Sequence, residues 1–226
     1  MGFIAGIDEA GRGPVLGPMV MAIVACEQKD VDFLNQIGVK DSKLLTLAKR
    51  NKFSRIIKQR LAHAIIKVSP VDVDKSLANP NSSLNDLEAY TSGKLIRRII
   101  EKQSIKNIIL DLPSKNKEDY VQKVRSQLKF PANAIPIKAE YKADLNYVQV
   151  AAASILAKVA RDKAMATLSK KLNLSLGSGY PADATTIHCL HEHFDKLKKE
   201  KLVRLEWKTT KEFLEKKRQT TLKKFG

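Results

Sequence analysis

The sequence predicts an α/β fold in which helices flank a mixed sheet. Five short apolar runs have the length and composition of buried strands. Longer segments between and after them carry apolar residues at helical spacing. Three strands with helices come first, followed by a strand, a helix, a strand and a long helix, an order that favours a sheet covered by helices. The length of 226 residues fits one large domain.

The five strand candidates are bounded by polar or turn residues. The first stops at Asp8, and the fourth is closed by Pro113. Between the first two, residues 11–17 carry three glycines and a proline, which is typical of a hairpin-like connection. The candidates cover residues 3–7, 18–26, 62–69, 106–112 and 134–138.

The helix candidates are residues 46–60, 85–101, 117–128 and 147–168. Asn85 is a possible N-cap of the second. The last is the longest, is rich in alanine, and is predicted to have one apolar side. From residue 187 the chain is rich in lysine and helical in pattern. We therefore expect a main domain at residues 1–186 and a helical, basic C-terminal extension at residues 187–226.

The chain is strongly basic, with 41 Lys and Arg against 24 Asp and Glu and a formal net charge of +17. This excess favours nucleic acid or an anionic membrane surface as a partner, although a generic basic surface would look the same. The apolar runs fall short of the roughly 20 residues that cross a bilayer, and the first residues lack the pattern of a signal peptide. Cys26 and Cys189 lack metal-ligand spacing and indicate reduced thiols. We expect a cytoplasmic protein with no membrane partner.

Four acids stand where predicted elements begin or end. Asp8 and Glu9 follow the first strand, Asp111 ends the fourth, and Asp144 precedes the long helix. Ligand sites of open α/β sheets lie beyond the carboxyl ends of strands, and carboxylates are the hard oxygen ligands that Mg²⁺ and Mn²⁺ prefer. The acids therefore predict a metal site, and a two-metal site suits phosphodiester cleavage. Taken singly, Asp144 could cap its helix and Asp111 could end a strand at a turn.

Several blocks, in the expected order along nearly the whole chain, resemble the type 2 ribonuclease H family. The most specific are the first block, GIDEAGRGPVLGP, and the long helical block, KADLNYVQVAAASILAKVARD. The resemblance implies a ribonuclease H-like mixed five-stranded sheet with flanking helices and a small helical C-terminal part. The blocks are residues 6–18, 40–43 (KDSK), 110–113 (LDLP), 142–162, 177–183 (GSGYPAD) and 203–209 (VRLEWKT).

The resemblance also implies roles for particular residues. The catalytic and metal-binding carboxylates are Asp8, Glu9, Asp111 and Asp144. A Gly-Arg-Gly motif at Gly11, Arg12 and Gly13 grips the ribonucleotide, and Tyr180 packs on the neighbouring sugar. Lys43 and Thr209 contact phosphates. From the residues alone, the glycines could instead make a tight turn, Tyr180 could anchor its loop, and Lys43 could be a solvated lysine. Trp207 is predicted to be a core or interdomain packing anchor, with base stacking as the alternative. Arg161 and Asp162 match a pair in the family and could form a structural ion pair near the site.

The implied activity is hydrolysis of the RNA strand of RNA–DNA hybrids and cleavage 5′ to ribonucleotides embedded in duplex DNA, with Mg²⁺ or Mn²⁺ at a two-metal site. The partners would be those nucleic acids, and the chain would act as a monomer. The basic tail at residues 211–226 could hold the DNA backbone, be a solvated helix, or contact a partner such as a sliding clamp. Rival functions are another acidic-cluster nuclease of this fold, of the integrase or junction type, and a non-catalytic nucleic-acid-binding protein.

Overall fold

The structure, a computed structural model, describes residues 2–39, 45–113, 116–128 and 134–225, with side chains through residue 219. The strands are β1 (Phe3–Ala10), β2 (Met19–Cys26), β3 (Ala62–Val68), β4 (Ile105–Asp111) and β5 (Ile137–Glu140). The helices are α1 (Gln28–Gln36), α2 (Leu47–Arg60), α3 (Pro70–Ala78), α4 (Leu84–Ile100), α5 (Lys117–Ser126), α6 (Ala143–Asn146), α7 (Val148–Leu172), α8 (Ala184–Glu192), α9 (Phe194–Lys199) and α10 (Lys208–Phe225).

The five strands form one mixed sheet in the order β3-β2-β1-β4-β5. β1 pairs with β2 antiparallel, from Ile4 opposite Cys26 to Ala10 opposite Val20. β4 runs parallel to β1 on one side and to β5 on the other. The predicted fold class, a mixed five-stranded sheet with flanking helices, is confirmed. Because β1, β4 and β5 are parallel, their carboxyl ends meet at one edge of the sheet.

β1 and β5 differ from their predicted ranges in ways that matter for the site. Pairing with β2 carries β1 on to Ala10, so Asp8 and Glu9 lie within the strand and not after it. The apolar run ends at Ile7, but the backbone ladder continues as long as a partner strand lies alongside. β5 begins at Ile137, later than predicted, because Pro136 has no N–H to donate; its carbonyl still accepts from Ile108 N at 3.0 Å.

The four predicted helices are present as α2, α4, α5 and α7, while three further helices were not predicted. Ser69 caps α3, since its side chain accepts a hydrogen bond from Asp72 N, and Pro70 follows at the first helical position. Glu27 and Asp30 form a capping box at the start of α1. These signals were readable in the sequence. The third, α6, is a four-residue helix.

Core packing groups the described chain into two compact units. The first comprises residues 1–10, 20–67 and 84–160. Its apolar cluster joins β2, in which every residue is buried, to the first half of α7. Over residues 150–157 every α7 side chain is buried, so the prediction of a single apolar side is wrong for this half of the helix. Small alanines allow neighbours to pack on all of its faces.

The second unit comprises residues 11–19, 68–83 and 161–226. It has its own apolar cluster, which includes Val15, Leu16, Leu176, Leu190 and Leu197. Residues 187–226 are thus grouped with stretches from elsewhere in the chain. A separate extension at residues 187–226 stays a prediction. None of the helices in the described part of the chain combines the length and apolarity needed to cross a bilayer.

Candidate active site

Three of the four predicted carboxylates converge at the edge of the sheet. Asp8 and Glu9 lie on β1, and Asp111 is the last residue of β4. The parallel register places Ile7 beside Leu110, so the next residues, Asp8 and Asp111, are neighbours. One carboxylate oxygen from each of the three acids lies within 4.8 Å of the other two. Asp8 is buried, with 6% of its surface exposed.

Burial raises the pKa of Asp8 well above its ordinary value, and the nearby charges of Glu9 and Asp111 raise it further. Two hydrogen bonds oppose this shift. The Ser154 hydroxyl donates to the Asp8 side chain, and Glu9 N donates to its Oδ1 at 2.7 Å. Three acids this close repel one another, and a divalent cation bound among them would relieve the repulsion. Ser154 was not singled out in the sequence, although it is a lone hydroxyl in an alanine-rich run.

Asp144 lies close by along the chain but does not join the group of three. Asp111 Oδ1 accepts a hydrogen bond from Ala143 N at 2.7 Å, which ties the start of α6 to the end of β4. Asp144 is the next residue, and only 3% of its surface is exposed. Asp144 lies inside α6, whose N-cap is Lys142, and the long helix that it was predicted to precede, α7, begins at Val148. Its role as a fourth metal ligand stays a prediction.

Gly6 allows α7 to approach β1. A Cβ built on Gly6 would lie 2.5 Å from backbone atoms of Gln149 and Val150, closer than real Cβ contacts. Only glycine therefore permits the first turn of α7 to pack against the strand. This contact places Ser154, about one turn further along α7, where its hydroxyl reaches Asp8.

The donor set suits a hard divalent cation. Carboxylate oxygens are the ligands of Mg²⁺ and Mn²⁺, and the three acids supply them at close range. His188, His191 and His193, the other residues that could suggest metal binding, belong to no such cluster among the described residues. His191 instead stacks on Phe213, with ring centroids 4.6 Å apart.

The Gly-Arg-Gly motif begins directly after β1 and belongs to the second unit. Gly11 is buried and has a φ of 83°, and a Cβ there would overlap the Arg161 side chain. Arg12 is half-buried and Gly13 is exposed. The conformation of Gly11 supports the tight-turn reading of this glycine, whereas the exposure of Gly13 leaves it accessible to a ligand.

Tyr180 lies beside this motif. A Cβ built on Gly13 would be 3.7 Å from Tyr180 Cε1. The carbonyl of Gly179 accepts hydrogen bonds from Val15 N at 2.8 Å and Leu16 N at 3.2 Å, which ties the two loops together. Tyr180 is 40% exposed. The structure therefore brings the predicted sugar-packing tyrosine next to the predicted ribonucleotide-gripping loop.

Arg161 packs against the ring of Tyr180. Its guanidinium lies 5.1 Å from the centre of the Tyr180 ring, and it donates to Ser178 O at 2.8 Å and Pro18 O at 3.3 Å. Burial lowers the pKa of Arg161, while Tyr180 and Asp162 raise it. Arg161 thus hydrogen-bonds to backbone carbonyls of two loops. Its ion pair with Asp162 stays a prediction.

The remaining predicted residues are less well tested. Trp207 is a packing anchor, as predicted: it packs on the apolar cluster of the second unit, and its Nε1 donates to Gly13 O at 2.9 Å. Thr209 is half-buried at the second position of α10, and its phosphate contact stays a prediction. Lys43 and its block at residues 40–43 lie outside the described residues.

Arg204, which the sequence did not single out, is the largest fully buried side chain among the described residues. The one available signal was a charged residue within the apolar run of residues 202–205. Its hydrogen bonds reach back about 190 residues to the Gly-Arg-Gly loop.

Comparison with known proteins shows the family of this chain. A family model described as ribonuclease HII matches residues 5–210. The ribonuclease HII of Methanocaldococcus jannaschii is 39% identical over 228 aligned residues, covering 97% of this chain and 98% of that protein.

Two solved structures are similar over nearly the whole chain. The ribonuclease H2 of Pyrococcus horikoshii OT3 has a TM-score of 0.81 and 33% identity, covering 96% of this chain and 99% of that chain. The ribonuclease HII of Archaeoglobus fulgidus, solved in complex with PCNA, has a TM-score of 0.79 and 34% identity, covering 91% of this chain and 95% of that chain. With its sheet, its acidic cluster and relatives of this length and identity, the chain belongs to the ribonuclease HII family.

Proposed function

We propose that this chain hydrolyses the RNA strand of RNA–DNA hybrids and cuts duplex DNA on the 5′ side of embedded ribonucleotides. The observation that carries the proposal is the acidic group of Asp8, Glu9 and Asp111, gathered within 4.8 Å on a protein of net charge +17. A cluster of acids on a basic protein would repel a polyanionic substrate, unless a bound cation neutralises the cluster. Membership of a ribonuclease family supplies the reaction class.

The acids would hold Mg²⁺ or Mn²⁺, with Asp144 as the proposed fourth ligand. When bound, such ions activate a water and stabilise the leaving oxygen of the phosphodiester. The chain itself contributes the carboxylate oxygens, and Ser154 and Glu9 N hold Asp8 in one orientation. Gly11, Arg12 and Gly13 with Tyr180 are proposed to recognise the ribonucleotide, because a 2′-hydroxyl is what distinguishes RNA from DNA.

Lys43 and Thr209 are proposed to contact phosphates. We also propose that the protein acts as a monomer in the cytoplasm, in ribonucleotide removal during DNA replication and repair. The complex of the Archaeoglobus fulgidus protein with PCNA supports a sliding-clamp contact through the tail at residues 211–226. That segment forms most of the lysine-rich helix α10.

The test compares three labelled duplexes: one with a single ribonucleotide, one all-DNA, and one RNA–DNA hybrid. Each is incubated with the protein in Mg²⁺, in Mn²⁺ and in EDTA. We expect cutting 5′ to the single ribonucleotide and within the hybrid RNA, only with metal, while the all-DNA duplex stays intact. Asp8→Asn should remove this cutting.

Other outcomes point to the rival functions. Metal-dependent cutting of the all-DNA duplex would indicate a nuclease of another specificity on this fold. Tight binding of all three duplexes without cutting in either metal would indicate a non-catalytic binding protein. Normal cutting by Asp8→Asn would remove the acidic group from the mechanism.

A further inference from the structure

The Gly-Arg-Gly loop is held from behind by one fully buried arginine. Arg204 has no exposed surface. Its Nη2 donates to Gly11 O at 2.6 Å, its Nη1 to Arg12 O at 2.7 Å, and its Nη2 and Nε to Gly17 O at 3.1 and 3.3 Å. A guanidinium presents its donors in a rigid planar fork, so these bonds constrain the loop more than a lysine could.

The backbone of residues 203–206, which carries Arg204, is itself held by hydrogen bonds. Arg204 N donates to Val15 O at 2.9 Å, and a β-bridge joins Leu16 to Val203. Two carboxylate oxygens of Asp74 accept from Leu205 N at 2.8 Å and Glu206 N at 3.0 Å. These contacts hold the arginine in place from both directions along the chain.

Trp207 completes the support. Its Nε1 donates to Gly13 O at 2.9 Å, and its ring lies 4.9 Å from the Arg204 guanidinium. The carbonyls of three consecutive residues, Gly11, Arg12 and Gly13, thus all point toward Arg204 and Trp207. Burial lowers the pKa of Arg204 to about 10, so the guanidinium remains charged at neutral pH.

The direction of the first two carbonyls sets the direction of two amides. The third carbonyl shares its peptide unit with Pro14, which has no N–H. In a trans peptide unit the N–H points opposite to the C=O. The N–H groups of Arg12 and Gly13 therefore point away from Arg204. Gly13 is exposed, and Tyr180 lies beside it. Glycine readily adopts alternative backbone conformations, so a loop with two glycines needs an external constraint to keep one peptide orientation.

We propose that Arg204 is a positioning residue for ribonucleotide discrimination: it holds the peptide units of residues 11–13 so that their amides face the ribose. This inference rests on the proposed function. A positioning role for Arg204 differs from a general packing role in its effect on duplex binding. Loss of a packing residue weakens binding to every duplex, whereas loss of this constraint weakens only the preference for a ribonucleotide.

The test measures binding in EDTA, by fluorescence anisotropy, to a duplex with one ribonucleotide and to the same all-DNA duplex. The quantity compared is the ratio of the two affinities. Arg204→Lys keeps the charge and removes the fork, and Trp207→Phe keeps an aromatic ring and removes the bond to Gly13 O. Arg98→Lys, at an exposed arginine on α4, is the matched control. Near-UV circular dichroism and thermal melting report the fold.

We expect the affinity ratio to fall about tenfold in Arg204→Lys and about threefold in Trp207→Phe. The affinity for the all-DNA duplex should stay within about twofold of the wild type, as in Arg98→Lys. The value of kcat on the single-ribonucleotide duplex should fall with the ratio.

An unchanged ratio in both folded variants would overturn the inference and leave the proposed function standing. The inference is also overturned if the affinities for the ribonucleotide-containing duplex and for the all-DNA duplex fall by the same factor. If Arg204→Lys does not fold, Trp207→Phe decides by its ratio alone. A wild-type ratio near one would also overturn the inference and leave the proposed function standing. Absence of metal-dependent cutting by the wild type would remove the proposed function and this inference with it.

Discussion

At the scale of single residues, Asp8 combines two unfavourable conditions. It is buried, and it lies within 4.8 Å of two other carboxylates. Both raise its pKa and both oppose folding at neutral pH when no cation is bound. Binding sites commonly trade stability for function in this way.

Asp8→Asn should therefore stabilise the metal-free protein, by about 1 kcal/mol in the free energy of unfolding, while abolishing cleavage. The amide oxygen can still accept from Glu9 N and Ser154, but it carries no charge. Urea denaturation in EDTA checks this, with Asp32→Asn, at an exposed acid on α1, as the control. Added Mg²⁺ or Mn²⁺ should raise the melting temperature of the wild type and not of Asp8→Asn. A less stable Asp8→Asn protein would contradict this account of the site.

The stability difference between Asp8→Asn and the wild type should depend on pH with a defined sign. A carboxyl whose pKa is raised on folding binds its proton more tightly in the folded state, so its destabilising effect is present at high pH. It disappears as pH falls through the raised pKa. The stability gap between Asp8→Asn and the wild type should be largest near neutral pH and should narrow on acidification. A gap that widens on acidification would contradict the raised pKa of Asp8.

The two glycines of the Gly-Arg-Gly motif should respond differently to alanine. Gly11 has a positive φ and its Cβ would overlap Arg161, so Gly11→Ala should cost about 2 kcal/mol or more in stability. Gly13 is exposed, and its Cβ would make an ordinary 3.7 Å contact with Tyr180. Gly13→Ala should fold normally and lose activity on ribonucleotide-containing duplex. Equal melting temperatures for the two variants would contradict this distinction.

At the scale of elements, the approach of α7 to β1 depends on Gly6. Gly6→Ala should cost about 1–3 kcal/mol, because backbone atoms of Gln149 and Val150 cannot move aside as a flexible side chain would. Gly2→Ala is the matched control, since its Cβ would meet only the Lys106 side chain. Urea denaturation of both variants gives the comparison. Equal stabilities would show that the helix can shift away from the strand at little cost.

The loop that carries Tyr180 depends on the start of α8. Asp183 accepts from Ser178 N at 2.6 Å and Thr185 N at 3.0 Å. The Ser178 backbone bond, the Ser178 side chain and the Thr185 backbone bond lower the pKa of Asp183 to about 2. A lowered pKa contributes stability above the ordinary value near 4, and that stability is lost as pH falls toward 2.

Asp183→Ala should therefore lower stability at pH 7 by about 1 kcal/mol, and the difference from the wild type should close as pH falls from about 4 toward 2. Thermal melting of both proteins between pH 7 and about pH 2 measures this stability difference. A difference that persists at the lowest pH would mean that Asp183 acts through packing and not through its charge.

At the scale of the whole molecule, the excess of positive charge should govern general affinity for duplexes. Lys216, Lys217 and Arg218 are exposed on α10. If they contact phosphates, replacing all three with Gln should weaken binding to every duplex alike and reduce the salt-dependence slope by about 3. The preference for a ribonucleotide should not change. An unchanged slope would assign α10 to the sliding-clamp contact or to solvent.

The sequence alone determined the strands, the long helix and the candidate carboxylates. Apolar runs of strand length and a long alanine-rich segment are local signals, and they do not depend on what packs against them. Asp8, Glu9 and Asp111 could be proposed as a group because parallel strands end at one edge of a sheet. Their convergence needed the parallel register of β1 and β4, which the structure supplies.

Tertiary structure decided the features that depend on distant contacts. β1 extends past its apolar run because β2 pairs with it, and Ser154 reaches Asp8 because Gly6 admits α7. Arg204 is an unremarkable arginine in the sequence, and its role is visible only once the chain brings it to carbonyls about 190 residues away. Local pattern determines the elements, whereas burial and hydrogen-bond partners come from packing between segments that no spacing in the chain relates.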